Sequence, residues 1–197
     1  MWNNRTNKLE SRDIMTNLSK WYDNALSPEQ YRATLTDLKP GFDKIYDEFS
    51  VKRDDDIEAL KDKDMKVLVI AEPWCGHCML NLPILLRISE AVGFDVRFSL
   101  RDENLDLMEQ YQTNGKNVIP KVIVLDADGN ERADWGPIAP YTKEVQDKEK
   151  QHLPKTDEAD YDAKLKDMRA KLKDIFSTDE KVWLSVYEDL KITLLDA

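Results

Sequence analysis

Two cysteines three positions apart, Cys75 and Cys78, are the only ones in the sequence, and they follow directly on the apolar run Val67-Leu68-Val69-Ile70-Ala71. That run is continuous and β-branched, the mark of a strand buried on both faces. Beyond the cysteines, Met79-Leu80-Asn81-Leu82-Pro83-Ile84-Leu85-Leu86 reads as a helix. A strand that feeds two thiols into the first turn of a helix limits both the fold and its chemistry. The first thiol meets unpaired backbone N–H groups and the positive end of the helix dipole, which stabilise a thiolate and predict a pKa below ~8.5. The second lies one turn further in, close enough to attack a mixed disulfide formed on the first. Cys75 is therefore the expected nucleophile and Cys78 the expected resolving thiol. The plainer alternatives are two buried small apolar side chains or a structural disulfide.

Composition narrows the function classes. The formal net charge of −10 argues against nucleic acid, whose phosphates call for a basic face. Hydrophobic residues make up 41% of the chain, and no apolar run approaches the ~18 residues of a membrane span. Met1-Trp2-Asn3-Asn4-Arg5 opens no secretory signal, so a cytoplasmic location is expected, where a C-x-x-C pair reads as redox rather than as a staple. A zinc site needs four ligands, and Cys75, Cys78, His77 and His152 are all the sulfur and imidazole present; no metal is expected.

Charge density divides the chain. Residues 1–64 carry 25 charged side chains, residues 65–141 carry 18, and residues 142–197 carry 25. The expected organisation is a helical N-terminal extension (1–64), a sheet-containing core (65–141) and a helical C-terminal part packing on that core (142–197). In the first part, Ile14, Leu18, Trp21 and Ala25 share one helical face. Ser27-Pro28-Glu29-Gln30 starts a second helix, through Tyr31, Leu35 and Leu38, that breaks at Pro40-Gly41. Phe42, Ile45, Tyr46 and Phe49 define a third, and Asp54-Asp55-Asp56 starts a fourth. In the core, the helix after Cys75 ends at Gly93, Phe94–Leu100 is a second strand, and Asp102 caps a helix bearing Leu105, Met108 and Tyr111. Val122–Leu125 and Glu131–Trp135 are strands joined through Asp128-Gly129. At the end, Tyr161, Leu165, Met168, Leu172 and Ile175 form one stripe. Ser177-Thr178-Asp179-Glu180 caps a last helix with Trp183, Tyr187, Leu190 and Leu194.

Pro73-Trp74-Cys75-Gly76-His77-Cys78 resembles the active site of the thioredoxin superfamily, and its Gly-His centre is similar to that of protein disulfide isomerases. Two separated features agree. Pro83 stands five residues after the second cysteine, and Val118-Ile119-Pro120-Lys121-Val122 resembles the segment that carries the family's cis-proline. The resemblance covers roughly residues 65–141. It implies a thioredoxin-like α/β fold, a central mixed four-stranded sheet flanked by helices, here with helical extensions at both ends. It also implies a thiol–disulfide oxidoreductase whose dithiol is its own redox centre, without a cofactor. Substrates would be disulfide-containing proteins or small thiols, with a reductase or low-molecular-weight thiol for regeneration, and the chain would act as a monomer. Trp74, Ile119 and Pro120 would contact substrate, while Gly76, His77 and Glu72 would tune the redox pair.

A protonated His77, or one aimed at Cys75, would stabilise the thiolate; the alternative is an exposed spacer. Two departures stand out. Val69 occupies the place of the family's buried acid, so Glu72 is the nearest substitute proton acceptor. Lys121 follows the proline where a small threonine is usual, and would act on substrate choice through its charge. The competing class is a partner-binding module or redox sensor without turnover.

Overall fold

The chain is organised around a four-stranded sheet of order β2-β1-β3-β4, in which β1 and β2 are parallel and the other pairs antiparallel. The computed structural model describes residues 16–197; Ile14, part of the first expected helical face, lies outside them. Helix α1 (Ser19–Asn24) is short. Helix α2 (Pro28–Thr34) opens with a full capping box between Ser27 and Gln30, and Pro28 occupies the first turn, where its missing N–H costs nothing. It stops at Leu35, short of Leu38. Pro40-Gly41, expected to break a helix, instead lies in the first turn of α3 (Lys39–Glu48), for the same reason that Pro28 is tolerated. Gly41 has no side chain because Met79 lies against it; an added Cβ would come within 2.5 Å of the Met79 sulfur. Asp54 caps α4 (Asp55–Lys61) by accepting the Ile57 N–H at 3.1 Å.

Strand β1 (Met65–Ala71) begins two residues before the apolar run and is buried along nearly its whole length. Val69, at its centre, pairs with Phe98 on one side and Val122 on the other. Helix α5 (Gly76–Val92) runs on through Pro83 and ends at Gly93, whose φ of 104° suits glycine alone. Strand β2 is Asp95–Leu100. The helix expected after Asp102 is broken into a 3₁₀ turn (Arg101–Glu103), α6 (Leu105–Met108) and a second 3₁₀ turn (Glu109–Tyr111). Asp102 caps nothing: its carboxylate accepts from the Arg101 guanidinium at 2.8 Å, and its N–H is held by the Glu72 carboxylate at 2.8 Å. Strands β3 (Lys121–Asp126) and β4 (Glu131–Trp135) follow.

Helix α7 (Pro140–Lys150) has no counterpart in the sequence reading. It buries only Thr142 and so shows no apolar stripe. Helix α8 (Tyr161–Thr178) and α9 (Glu180–Asp196) close the chain. The cap between them is Asp179, which accepts the Lys181 N–H at 2.8 Å; Ser177 instead turns its hydroxyl back on the Lys173 and Asp174 carbonyls of α8.

One apolar core draws on every part of the described chain, from Leu18 to Leu194. Tyr31 of α2 stacks on Phe98 of β2 at 4.5 Å. Helix α9 buries Val182, Trp183, Val186, Tyr187, Leu190 and Leu194. Its polar side contributes too, with Asp189 accepting the Trp135 indole N–H at 2.7 Å and Lys191 lying 3.4 Å from both Asp54 and Asp56. Among the described residues no helix is long and apolar enough to cross a membrane.

Candidate active site

The turn from β1 into α5 makes Cys75 the cap of the helix. Its sulfur accepts the Cys78 N–H at 3.4 Å, doing the work that a serine or aspartate oxygen does at other helix starts. Cys75 is 8% exposed and Cys78 1%, and both are free thiols. The outer thiol can be reached, whereas the inner one is sealed beneath it. The Ile119–Pro120 bond is cis, and the Ile119 carbonyl accepts a long hydrogen bond of 3.6 Å from the Cys75 thiol. Gly136 seals the far side of this proline loop: at φ 118°, its Cβ would lie 2.3 Å from the Pro120 oxygen.

The surroundings drive the two thiols apart in acidity. A hydrogen bond from the Cys78 thiol holds the Cys75 pKa below its ordinary value against the cost of burial, helped by the Cys78 and His77 N–H groups and the Arg101 charge. Burial pushes Cys78 well above the usual thiol range, and its hydrogen bond to Cys75 adds to this. The arrangement pairs an outer thiol of lowered pKa with an inner thiol that burial keeps protonated. That is what a two-step disulfide exchange requires.

A family model for thioredoxin matches residues 15–151, more than half of the chain. The chain belongs to the thioredoxin family. The match takes in α1–α4 as well as the sheet, so only α8 and α9 lie wholly beyond it. The crystal structure of a Pseudomonas aeruginosa protein of unknown function resembles this thioredoxin-family chain with a TM-score of 0.62 at 14% identity, covering 91% of this chain and 98% of the other. An HIV epitope-scaffold gives a TM-score of 0.59 at 13% identity, covering 92% and 99%. At such identities the likeness concerns the fold alone. No curated protein matches the sequence.

The residues singled out in this thioredoxin-family sequence fall into three groups. Trp74, Cys75, Gly76 and His77 line one cleft beside α8, with Trp74 58% exposed and the Arg101 guanidinium 4.9 Å from its ring. Ile119 and Pro120 lie behind the cysteines. Glu72 is buried, and burial raises its pKa; its carboxylate holds the Asp102 N–H, while its own N–H and its charge both act on Cys78.

Two expectations change. The His77 ring lies 5.5 Å from Phe176 of α8, with Nε2 enclosed and without a hydrogen-bond partner among the described residues. Burial, with some repulsion from Lys150, brings its pKa down to about 4, so the ring is neutral near pH 7 and only the backbone N–H serves the thiolate. Lys121 is buried and its ammonium pairs with Asp134 of β4 at 2.6 Å, so its charge is directed to the sheet and not to the cleft. Among the described residues no group of three or more His, Cys, Asp or Glu is placed to hold a metal ion.

One residue at the site was not foreseen. The Tyr31 hydroxyl donates to the Glu72 carbonyl at 3.1 Å and lies in hydrogen-bonding contact with the Cys78 thiol. Burial, and then the two thiols, push its pKa far above the ordinary tyrosine value, so it remains a donor and never acts as a base. A helix from outside the sheet region thus supplies a side-chain hydroxyl beside the inner cysteine. In sequence Tyr31 reads only as one more apolar position on a helical face.

Proposed function

We propose that this protein is a thiol–disulfide oxidoreductase. The reading rests above all on the Cys75 sulfur capping α5, 3.4 Å from the Cys78 N–H and with the Cys78 thiol sealed behind it. The Cys75 thiolate attacks one sulfur of a substrate disulfide, forming a mixed disulfide and expelling the first thiolate. Cys78 then loses its proton and attacks the Cys75 sulfur. The second substrate thiolate leaves, and two electrons have passed from the dithiol to the substrate. Glu72, whose carboxyl is buried and weakly acidic, is the proton acceptor for Cys78 in place of an acid at Val69. The Tyr31 hydroxyl turns from the Glu72 carbonyl toward the developing Cys78 thiolate.

Trp74 is the exposed contact for substrate, the buried Ile119–Pro120 loop beside Cys75 is the second, and Gly76 leaves the approach to Cys75 open; a Cβ there would meet nothing within 4 Å. No cofactor takes part in this scheme. A reductase or low-molecular-weight thiol restores the dithiol, and the setting proposed is a cytoplasmic monomer. Insulin reduction driven by dithiothreitol tests the reading: the wild-type protein should accelerate it, and Cys75→Ser should bring the rate down to that of dithiothreitol alone. A wild-type protein that gives no acceleration would favour a partner-binding or sensing role.

A further inference from the structure

The first turn of α5, together with α7 and α8, leaves a cleft of about 680 Å³ with Cys75 in its wall. This is within the roughly 300–1,000 Å³ range of small-molecule sites. Its apolar lining comes from Trp74 on one side and from Leu165, Met168 and Phe176 of α8 on the other. The charged side chains that line it are Lys150, Arg169 and Lys173, and among the described residues no carboxylate lines it. In a chain with 39 acidic and 29 basic side chains, this lining reverses the overall charge balance.

These charges are poorly neutralised. Lys173 donates to the backbone carbonyl of Asp37, and Lys150 is 4.0 Å from Asp147, a carboxylate that lies closer to Lys143. Arg169 forms no ion pair among the described residues, while Glu149 on α7 pairs with Lys171 instead. The cleft therefore pairs an apolar trough with a positive edge, and Cys75 is part of its wall. Helix α8 rises beside a nucleophile that is only 8% exposed, so a disulfide fixed on a folded protein surface meets this wall first, while a small disulfide can enter.

Building on the oxidoreductase reading, we propose that the substrate is a small anionic disulfide with an apolar body. The body lies between Trp74 and α8, the acid group is held by Lys150, Arg169 and Lys173, and one sulfur faces Cys75. Exchange follows the two steps given above: the substrate S–S bond breaks, a Cys75 mixed disulfide forms and one small thiolate leaves. Cys78 then releases the second thiolate as the Cys75–Cys78 bond closes.

The test uses the full-length reduced protein in stopped flow, with dithiobis(nitrobenzoate) as the anionic aromatic disulfide and dithiodipyridine as the neutral one. Each rate is divided by that of a free thiol under the same conditions, and dithiothreitol-driven insulin reduction is followed in parallel. The wild type should prefer the anionic compound at least tenfold, with a rate that saturates. The variant Lys150→Gln/Arg169→Gln/Lys173→Gln should lose that preference, slowing the anionic reaction at least tenfold more than the neutral one. These three side chains are on the surface, and an unchanged circular dichroism melt confirms that the variant folds. Equal preference in the wild type, a preference that survives in the variant, or a higher kcat/KM for insulin than for the anionic compound would overturn the substrate assignment. If Cys75 reacts with neither small disulfide, the oxidoreductase reading itself fails.

Discussion

His77 and Tyr31 show how far a side chain's role depends on what lies above it. The histidine between the cysteines is covered by Phe176, so burial sets its charge, and its pKa falls to about 4 from an ordinary 6.5. An unfolded chain takes up that proton near pH 6.5 and the folded one only near pH 4. The stabilising contribution is therefore complete above pH 6.5 and is lost as the pH falls through this window. Wild-type protein should lose roughly 2–3 kcal/mol more than His77→Leu between about pH 7 and pH 4.5, as read by urea unfolding. Equal losses in the two proteins would mean that the imidazole is not buried in this way. Tyr31→Phe removes one buried hydroxyl beside Cys78. It should cost about 1 kcal/mol of stability and slow the resolution of the mixed disulfide more than its formation. If both steps slow by the same factor, the hydroxyl acts only through packing. Neither role is legible in the sequence. The contact from Tyr31 to Glu72 spans 41 positions, and helical period marks Tyr31 as buried without saying against what.

At the scale of elements, the sequence is read most clearly where local chemistry decides. The Ser27–Gln30 capping box, the glycine stop at Gly93, and a strand of unbroken apolar residues each depend on neighbours a few positions away. It is read less well where a distant partner decides. Asp102 gives its N–H to Glu72 and its carboxylate to Arg101 within a 3₁₀ turn instead of capping a helix, and Asp179 takes the capping position that the Ser177 pattern suggests for the serine. Helix α7 escapes notice because it buries so little. The last two helices depend on one another. Trp183 of α9 is 4% exposed, and its indole N–H donates at 2.8 Å to the Phe176 carbonyl near the end of α8. Trp183→Ala removes a large buried ring and leaves that carbonyl unpaired, and should destabilise the protein by about 3–5 kcal/mol in urea denaturation. A loss below about 1 kcal/mol would show that α9 is not packed as described.

For the whole molecule, the thioredoxin-family sheet supplies the strand, the turn and the cis-proline loop, while the helices around it set the environment of the thiols. Helix α2 brings Tyr31 to the inner sulfur, and α8 covers His77 and walls the cleft at the outer one. What supports the proposed oxidoreductase over a thioredoxin-shaped binding module is the contrast between Cys75, 8% exposed, and Cys78, sealed at 1%. The most direct measurement is intact mass after reaction with a disulfide substrate. Cys78→Ser should accumulate a stable mixed disulfide on Cys75 and Cys75→Ser should gain no mass, while wild-type protein should release substrate and end two hydrogens lighter. Trapping by Cys75→Ser instead, or mass gain by neither variant, would contradict the assignment of Cys75 as nucleophile and Cys78 as the thiol that resolves it.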